Sequence, residues 1–316
     1  YYGNYAKCRN LSIEEIEANI KAGKEYVLRL RSDGNAENKI TCRDLIRGNI
    51  EMPENIMDVV LLKSDGIPTY HFAHVVDDFL MGTTHVIRGD EWISSYPLHE
   101  QLFRASGLKM PKYAHIAPIM KLDGGENKKR KLSKRKDPEL SLDYYRQEGY
   151  HPQAVKEYLL TILNSNFEEW RIANPDAPAE DFHFTTEKMS SGGALFDLNK
   201  LNDISKDVLV KIPAKDLCAF LIGWAKEFRP EILPLLEGHE EYIEKILDLG
   251  RDGKKPRKDF ICAKQIFEFI SYFFDDHFVI EDSIPAEVSD EDAAEILRKY
   301  LETYDHSDDQ SQWFDK

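Results

Sequence analysis

No stretch of this chain approaches the roughly 18 consecutive apolar residues that a membrane-spanning helix needs, so a soluble protein is expected. Cysteine is scarce: Cys8, Cys42, Cys218 and Cys262 lie far apart with no C-x-x-C pair. That argues against a zinc ribbon or a redox dithiol and leaves reduced, cytoplasmic thiols as the expectation. The opening YYGNYAKCRN has no initiator Met and neither the basic start nor the apolar stretch of a secretory signal, so the natural start is expected upstream. Positive charge is also in short supply. With 42 Lys and Arg against 57 Asp and Glu the formal charge is −15, which argues against general coating of nucleic acid. Any such contact must be local, and one stretch qualifies: seven of the nine residues from Lys128 to Lys136 are basic.

The 316 residues have room for about two domains. Ser12 with Glu15 forms a capping-box pattern ahead of Ile13, Ile16 and Ile20, which predicts a short helix ending at Gly23. YVLRLR from Tyr26 to Arg31 alternates apolar with basic and predicts a half-exposed strand. DVVLLK from Asp58 is a continuous apolar run, as expected of a strand buried on both faces of a parallel sheet. Phe72, Val75, Val76 and Phe79 then recur at helical spacing up to Gly82, and THVIR from Thr84 to Arg88 reads as the next strand. Ser95 is positioned to cap the following helix, with Pro97 in its first turn and Gly107 at its end. This β-α-β-α order predicts an α/β fold with a doubly wound sheet. From SLDYYRQEGY at Ser141 onward helical periodicity dominates, with Leu159, Leu160 and Leu163 as expected core, and from about Asp216 the chain reads as a helical tail.

The segment LDGGENKKRKLSKRKDPE sets glycines before a dense run of cations, so that ammonium groups can follow a polyanion. A phosphate chain losing pyrophosphate accumulates negative charge, which preorganised Lys or Arg groups stabilise. The run by itself fits equally a solvated charged face, a kinase site at Ser133, or contact with transfer RNA or an acidic protein. A rival constellation lies upstream. His71, His74, Asp77 and Asp78 stand at helical spacing with His85 close behind, a pattern compatible with the metal site of a hydrolase. Against it, the residues between them form the apolar stripe, so the polar ones face partly elsewhere and no metal is assigned.

SDGIPTYHFAHVVDDFLMGTTHVIRGDEW followed downstream by KLSKR closely resembles the glutamyl-tRNA synthetase family, bacterial type, of class I aminoacyl-tRNA synthetases, over residues from about Tyr5 to Asp197. The resemblance implies the second half of a Rossmann-type catalytic domain with part of an α+β insertion, then a stem-contact region and a helical C-terminal domain. Residues 1–57 would be the end of the acceptor-stem-binding insertion and 58–122 the second Rossmann half. Residues 123–215 would be the stem-contact region with the KLSKR loop, and 216–316 the start of the anticodon-binding domain. It implies ATP binding by Lys131, Leu132, Ser133, Lys134 and Arg135, with Lys134 stabilising the phosphates and Lys131 assisting. It also implies a glutamate pocket lined by Tyr70 and Arg88, with Trp92 at its mouth and His74 beside it at a position that varies in the family. A guanidinium fork and a hydroxyl donor suit an acidic substrate.

The implied activity is ATP-dependent activation of L-glutamate and its transfer to the 3' end of tRNA(Glu), with tRNA(Gln) as a second candidate. Magnesium (Mg2+) would accompany the ATP, and the parent protein would be monomeric and cytoplasmic. Cys8 in AKCRN is similar to a cysteine of the zinc knuckle that some members carry, but its partners are absent. The HIGH-type motif is also absent from these residues, which predicts little or no aminoacylation by this polypeptide alone. A non-catalytic tRNA-binding module is the alternative.

Overall fold

The computed structural model describes residues 5–123, 128–251, 253, 255–278, 283–285, 287–308 and 310–314. The chain divides into two compact units, residues 1–263 and 264–316. The expected boundaries near 57, 122 and 215 all lie inside the first unit, and that finer division remains a proposal.

The capping box forms as read. Ser12 Oγ accepts from the Glu15 amide at 3.2 Å and the Ser12 amide donates to Glu15 at 2.8 Å, starting α1 (Ile13–Lys21). Its apolar stripe is nevertheless exposed, with Ile13 at 72%. The strand expected over 26–31 shrinks to β1 (Leu28–Arg29). Two strands without long apolar runs follow, β2 (Lys39–Asp44) and β3 (Gly48–Pro53), joined as an antiparallel hairpin.

The DVVLLK run contains β4 (Val60–Leu62), which is neither fully buried nor parallel: its three residues are each partly buried and it pairs antiparallel with β1. An apolar run reports burial on some surface but not the direction of its partner. Here Val59 and Leu61 pack on Leu30, Val75, Leu98, Leu102 and Phe103, a core shared with the next two helices. Those helices are α2 (Tyr70–Leu80) and α3 (Tyr96–Ser106). In α2 Val75 is fully buried, while Phe79 from the expected stripe is 44% exposed. Ser95 does not cap α3. A 3-10 turn over Asp90–Ser95 leads into the helix and leaves Ser95 in helical geometry, unable to turn its hydroxyl back. Gly107 closes α3 at φ 66°, a conformation that suits glycine.

Between α2 and α3 runs β5 (His85–Gly89), and after α3 comes β6 (Lys112–Ile116). The main sheet has the order β3-β2-β6-β5, with β2 and β5 parallel to β6 and β3 antiparallel at one edge. The carboxyl ends of three parallel strands therefore lie side by side: Asp44 on β2, Arg88 and Gly89 on β5, and His115 and Ile116 on β6. This is the edge at which open α/β sheets hold their ligands.

A second ribbon pairs β7 (Met120–Asp123) with β8 (Lys128–Lys131), and beyond it the unit is helical. The first helices there are α4 (Leu142–Glu148) and α5 (Pro152–Leu163). In α5 the fully buried residues are Ala154, Val155 and Tyr158 rather than the expected leucines, which are partly buried. The apolar surface of that helix is wide, and periodicity does not say which side faces the core. A core of Leu132, Tyr150, Val155, Tyr158, Phe196, Leu201 and Cys262 ties the residue directly after β8 to these helices.

Leu102 is 1% exposed in the core between α3 and β4. Leu102→Ala is expected to destabilise the chain by about 2–5 kcal/mol, read as a lowered denaturation midpoint with unchanged cooperativity.

Candidate active site

Arg88, the penultimate residue of β5, enters a cluster of rings. Its Nε donates to His115 Nε2 at 2.9 Å and its Nη1 to His99 Nδ1 at 3.1 Å. Its Nη2 reaches the Trp92 carbonyl at 3.3 Å, and the guanidinium lies 4.6 Å over the Tyr113 ring. Among the described residues no carboxylate pairs with Arg88. Three of its five N–H donors are engaged this way, which leaves two for Tyr70, whose hydroxyl lies beside it, and for a ligand.

Arginine cannot accept a hydrogen bond, so both imidazoles must present a lone pair to it. His115 therefore carries its proton on Nδ1 and donates it to Asp44 at 2.6 Å, and Asp44 also accepts from the backbone amides of His115, Ile46 and Arg47. His99 carries its proton on Nε2 and donates it to His71 Nδ1 at 2.9 Å. Burial lowers the basicity of His71, His74, His99 and His115 alike, and takes His99 down to about 2, with His74 and Arg88 adding to the effect. All four rings are therefore harder to protonate than a free histidine.

Tyr70 opens α2 and its ring lies 4.6 Å from that of Trp92, so these two flank one side of Arg88. His74 is placed differently from expectation. Its side chain is 6% exposed, Nδ1 faces Asp78 at 2.7 Å and Nε2 faces the Tyr113 hydroxyl at 2.8 Å, so neither nitrogen is free for substrate. His71, His74, Asp77, Asp78 and His85 do not gather. Among the described residues the only three-ligand cluster is Cys42, Asp44 and His115, whose carboxylate and ring are already consumed by the bonds above.

The basic loop is rigid at its base and bare at its tip. Asp137, 2% exposed, receives both Nη groups of Arg130 at 2.6 and 2.7 Å and the Ser133 amide at 2.9 Å. The Arg130 fork, helped by the Ser133 amide, holds the Asp137 carboxyl well below the usual carboxylate range. Lys121 joins behind it, 2.7 Å from Glu139. Leu132 is buried in the core and its amide bonds the Ile119 carbonyl at 3.0 Å, so of the expected ATP contacts it offers backbone rather than side chain. The turn Lys134–Lys136 is closed by the Lys136 and Asp137 amides on the Ser133 carbonyl, at 3.1 and 2.9 Å. Lys134 and Arg135 are exposed and, among the described residues, unpaired. Lys131 lies 3.8 Å from Glu91, which links the loop to the turn that follows Arg88.

The fold and these two features define a class I aminoacyl-tRNA synthetase catalytic region, and the comparisons agree. Residues 3–203 match the family described as tRNA synthetases class I (E and Q), catalytic domain, and the chain belongs to that family. It is 57% identical over 316 residues to a glutamate–tRNA ligase of Acetivibrio thermocellus, covering 100% of this chain and 58% of that protein. It is 48% identical over 317 residues to the glutamate–tRNA ligase of Clostridium perfringens strain 13, covering 99% and 58%. Among solved structures, that of a glutamate tRNA ligase from Elizabethkingia meningosepticum in complex with its amino acid superposes with a TM-score of 0.71 at 26% identity, over 96% of this chain and 61% of that one. The chain thus spans 58% of the length of these curated relatives.

Sequence reading missed His99, Tyr113, His115 and Asp44. The signal was weak: β6 reads KYAHI, too short and too polar to stand out, and His99 is one polar residue in an otherwise ordinary helix.

The neutral histidines give stability a pH dependence of known sign. As pH falls, the unfolded chain protonates these rings near 6.5 while the folded protein resists, to about 2 for His99. The stabilisation is therefore complete above about 6.5 and is lost below it, by up to about 1.4 kcal/mol per pH unit per ring. Urea midpoints at pH 7.5 and pH 5 should show the fall, and His99→Gln should make it shallower.

Proposed function

We propose that this chain is part of a glutamate–tRNA ligase, with Arg88, Tyr70 and Trp92 forming the glutamate pocket and the 131–135 loop gripping ATP. The observation that carries it is Arg88: a partly buried guanidinium at the carboxyl edge of the parallel strands, held by neutral acceptors and lacking a protein carboxylate among the described residues. A desolvated cation in that setting is complete only with an anionic ligand. Tyr70 adds a hydroxyl donor and, with Trp92, an aromatic wall for the methylene stem of glutamate. His74 supports the pocket from behind through Tyr113 rather than touching substrate.

In the reaction an oxygen of the glutamate α-carboxylate attacks the α-phosphorus of ATP, and pyrophosphate leaves with the electron pair of the broken P–O bond. A ribose hydroxyl of the tRNA then attacks the activated carbonyl, loses its proton, and AMP departs. No covalent enzyme intermediate is needed, so the protein's part is positioning and charge stabilisation. Lys134, unpaired at the tip of a braced turn, is poised to meet the charge building on the phosphates, with Lys131 beside it and Arg135 and Ser133 completing the loop. Magnesium would accompany the ATP and help neutralise the phosphate charge that Lys134 and Lys131 face. The partners are tRNA(Glu), with tRNA(Gln) as a second candidate, and the setting is the cytoplasm. We place the acceptor-stem, stem-contact and anticodon functions as divided above, and complete aminoacylation in the longer protein.

Glutamate-dependent ATP–pyrophosphate exchange, run on this chain and on the longer protein, tests the reading. Exchange is expected in the longer protein and little in this chain. Silence of both with tRNA present would turn the assignment toward a non-catalytic tRNA-binding module. In the longer protein, Lys134→Ala should lower adenylate formation about a hundredfold with tRNA affinity largely kept. A binding module would instead lose affinity and its salt dependence together.

A further inference from the structure

We propose that His99 and His115 set the charge specificity of this pocket: as neutral acceptors they orient Arg88 without neutralising it, so that the pocket selects an anionic side chain over its neutral amide counterpart. The inference rests on the glutamate reading above and goes beyond it, from the residue that meets the substrate to the two that keep that residue's charge available.

The geometry carries the argument. A partly buried arginine is ordinarily fixed by an aspartate or glutamate, whose paired oxygens take the guanidinium fork and cancel its charge. Here the two lateral contacts are made by ring nitrogens, 2.9 Å from Nε and 3.1 Å from Nη1, each on a different structural element. His115 stands on β6 and His99 on α3. Both are 0% exposed, so the rings are locked by their packing as well as by their bonds. Each ring passes its single proton away from Arg88. His115 gives it to Asp44 and His99 gives it to His71. The carboxylate of Asp44 is thus one imidazole removed from the guanidinium, and its oxygens are saturated by the His115 ring and by three backbone amides. A carboxylate placed directly at either histidine would compete with the substrate for the same donors and leave a like charge beside it. A neutral ring does neither.

Glutamate and glutamine have nearly the same shape, so shape alone discriminates poorly between them. A guanidinium that keeps its full charge favours the carboxylate, while a guanidinium already paired would bind the amide at least as well. The wall of neutral rings therefore acts on specificity rather than on the chemical step.

The test uses the longer protein and reads ATP–pyrophosphate exchange with saturating ATP. His99→Gln keeps a neutral acceptor and should leave the preference for glutamate over glutamine intact, with KM for glutamate within several-fold of wild type. His99→Glu should raise that KM about a hundredfold or more and narrow the preference, with KM for ATP little changed. Equal damage from both substitutions, or wild-type glutamate binding by the Glu variant, would overturn the proposal. A wild-type enzyme silent with glutamate would instead overturn the functional reading. Independently of any variant, nitrogen NMR of histidine-labelled wild-type protein at pH 7 should show His99 protonated on Nε2 alone and His115 on Nδ1 alone. A doubly protonated ring at either position would sink the idea even if the variants fail to fold.

Discussion

A partly buried positive charge with no protein counter-charge among the described residues is the constraint around which this region is organised. Desolvating the Arg88 guanidinium is costly, and the surrounding chain meets that cost with hydrogen bonds and a ring face instead of an anion. Doing so requires acceptors from three directions at once. The parallel register that sets Arg88 opposite His115 supplies one, α3 supplies another, and the 3-10 turn that displaces Ser95 from its expected capping role presents the Trp92 carbonyl as the third. The irregular start of α3 is thus the local departure that completes the cradle.

The basic loop solves the opposite problem with the same residue type. Arg130 is fully neutralised by Asp137, and the pair serves as a strut that fixes the Ser133 amide and hence the turn above it. Leu132 adds a hydrophobic anchor on the side facing the helices. With the base held by one ion pair and one buried leucine, Lys134 and Arg135 in the turn are exposed and have no partner among the described residues. In one molecule, then, arginine is held both by a carboxylate and by neutral rings, and what separates the two settings is whether its acceptor carries a charge.

Much of this was readable from the chain before its shape was known. The Ser12–Glu15 box, the α2 and α3 segments, the β5 strand and Gly107 all rest on short-range rules that tertiary packing had no reason to overrule. The family was legible because two motifs in order, SDGIPTYHFAHVVDDFLMGTTHVIRGDEW and KLSKR, are specific where either alone is ambiguous. What stayed hidden was whatever depends on direction or partnership. DVVLLK announces burial but not an antiparallel partner at Leu28–Arg29, and α5 announces a wide apolar surface but not which residues point inward. The histidines behind Arg88 were invisible for the same reason, since a lone His in a short strand has no meaning until the neighbour it touches is known. His74, more conspicuous in the sequence because it sits in a His- and Asp-rich helix, turned out to be fully occupied by Asp78 and Tyr113.

The proton arrangement behind the pocket follows from a single asymmetry in hydrogen-bonding capacity. Arginine only donates and an ionised carboxylate only accepts, so a neutral histidine set between Arg88 and Asp44 has one permissible tautomer. The same logic runs outward along the other arm, from Arg88 through His99 to His71, and ends where α2 begins and Tyr70 enters the pocket. Because every link has a fixed donor, rotating or flipping one ring would break two bonds at once. The orientation of the guanidinium is thereby specified by the whole chain of contacts and not by any one of them, which is how a side chain with four rotatable bonds can be held in one geometry.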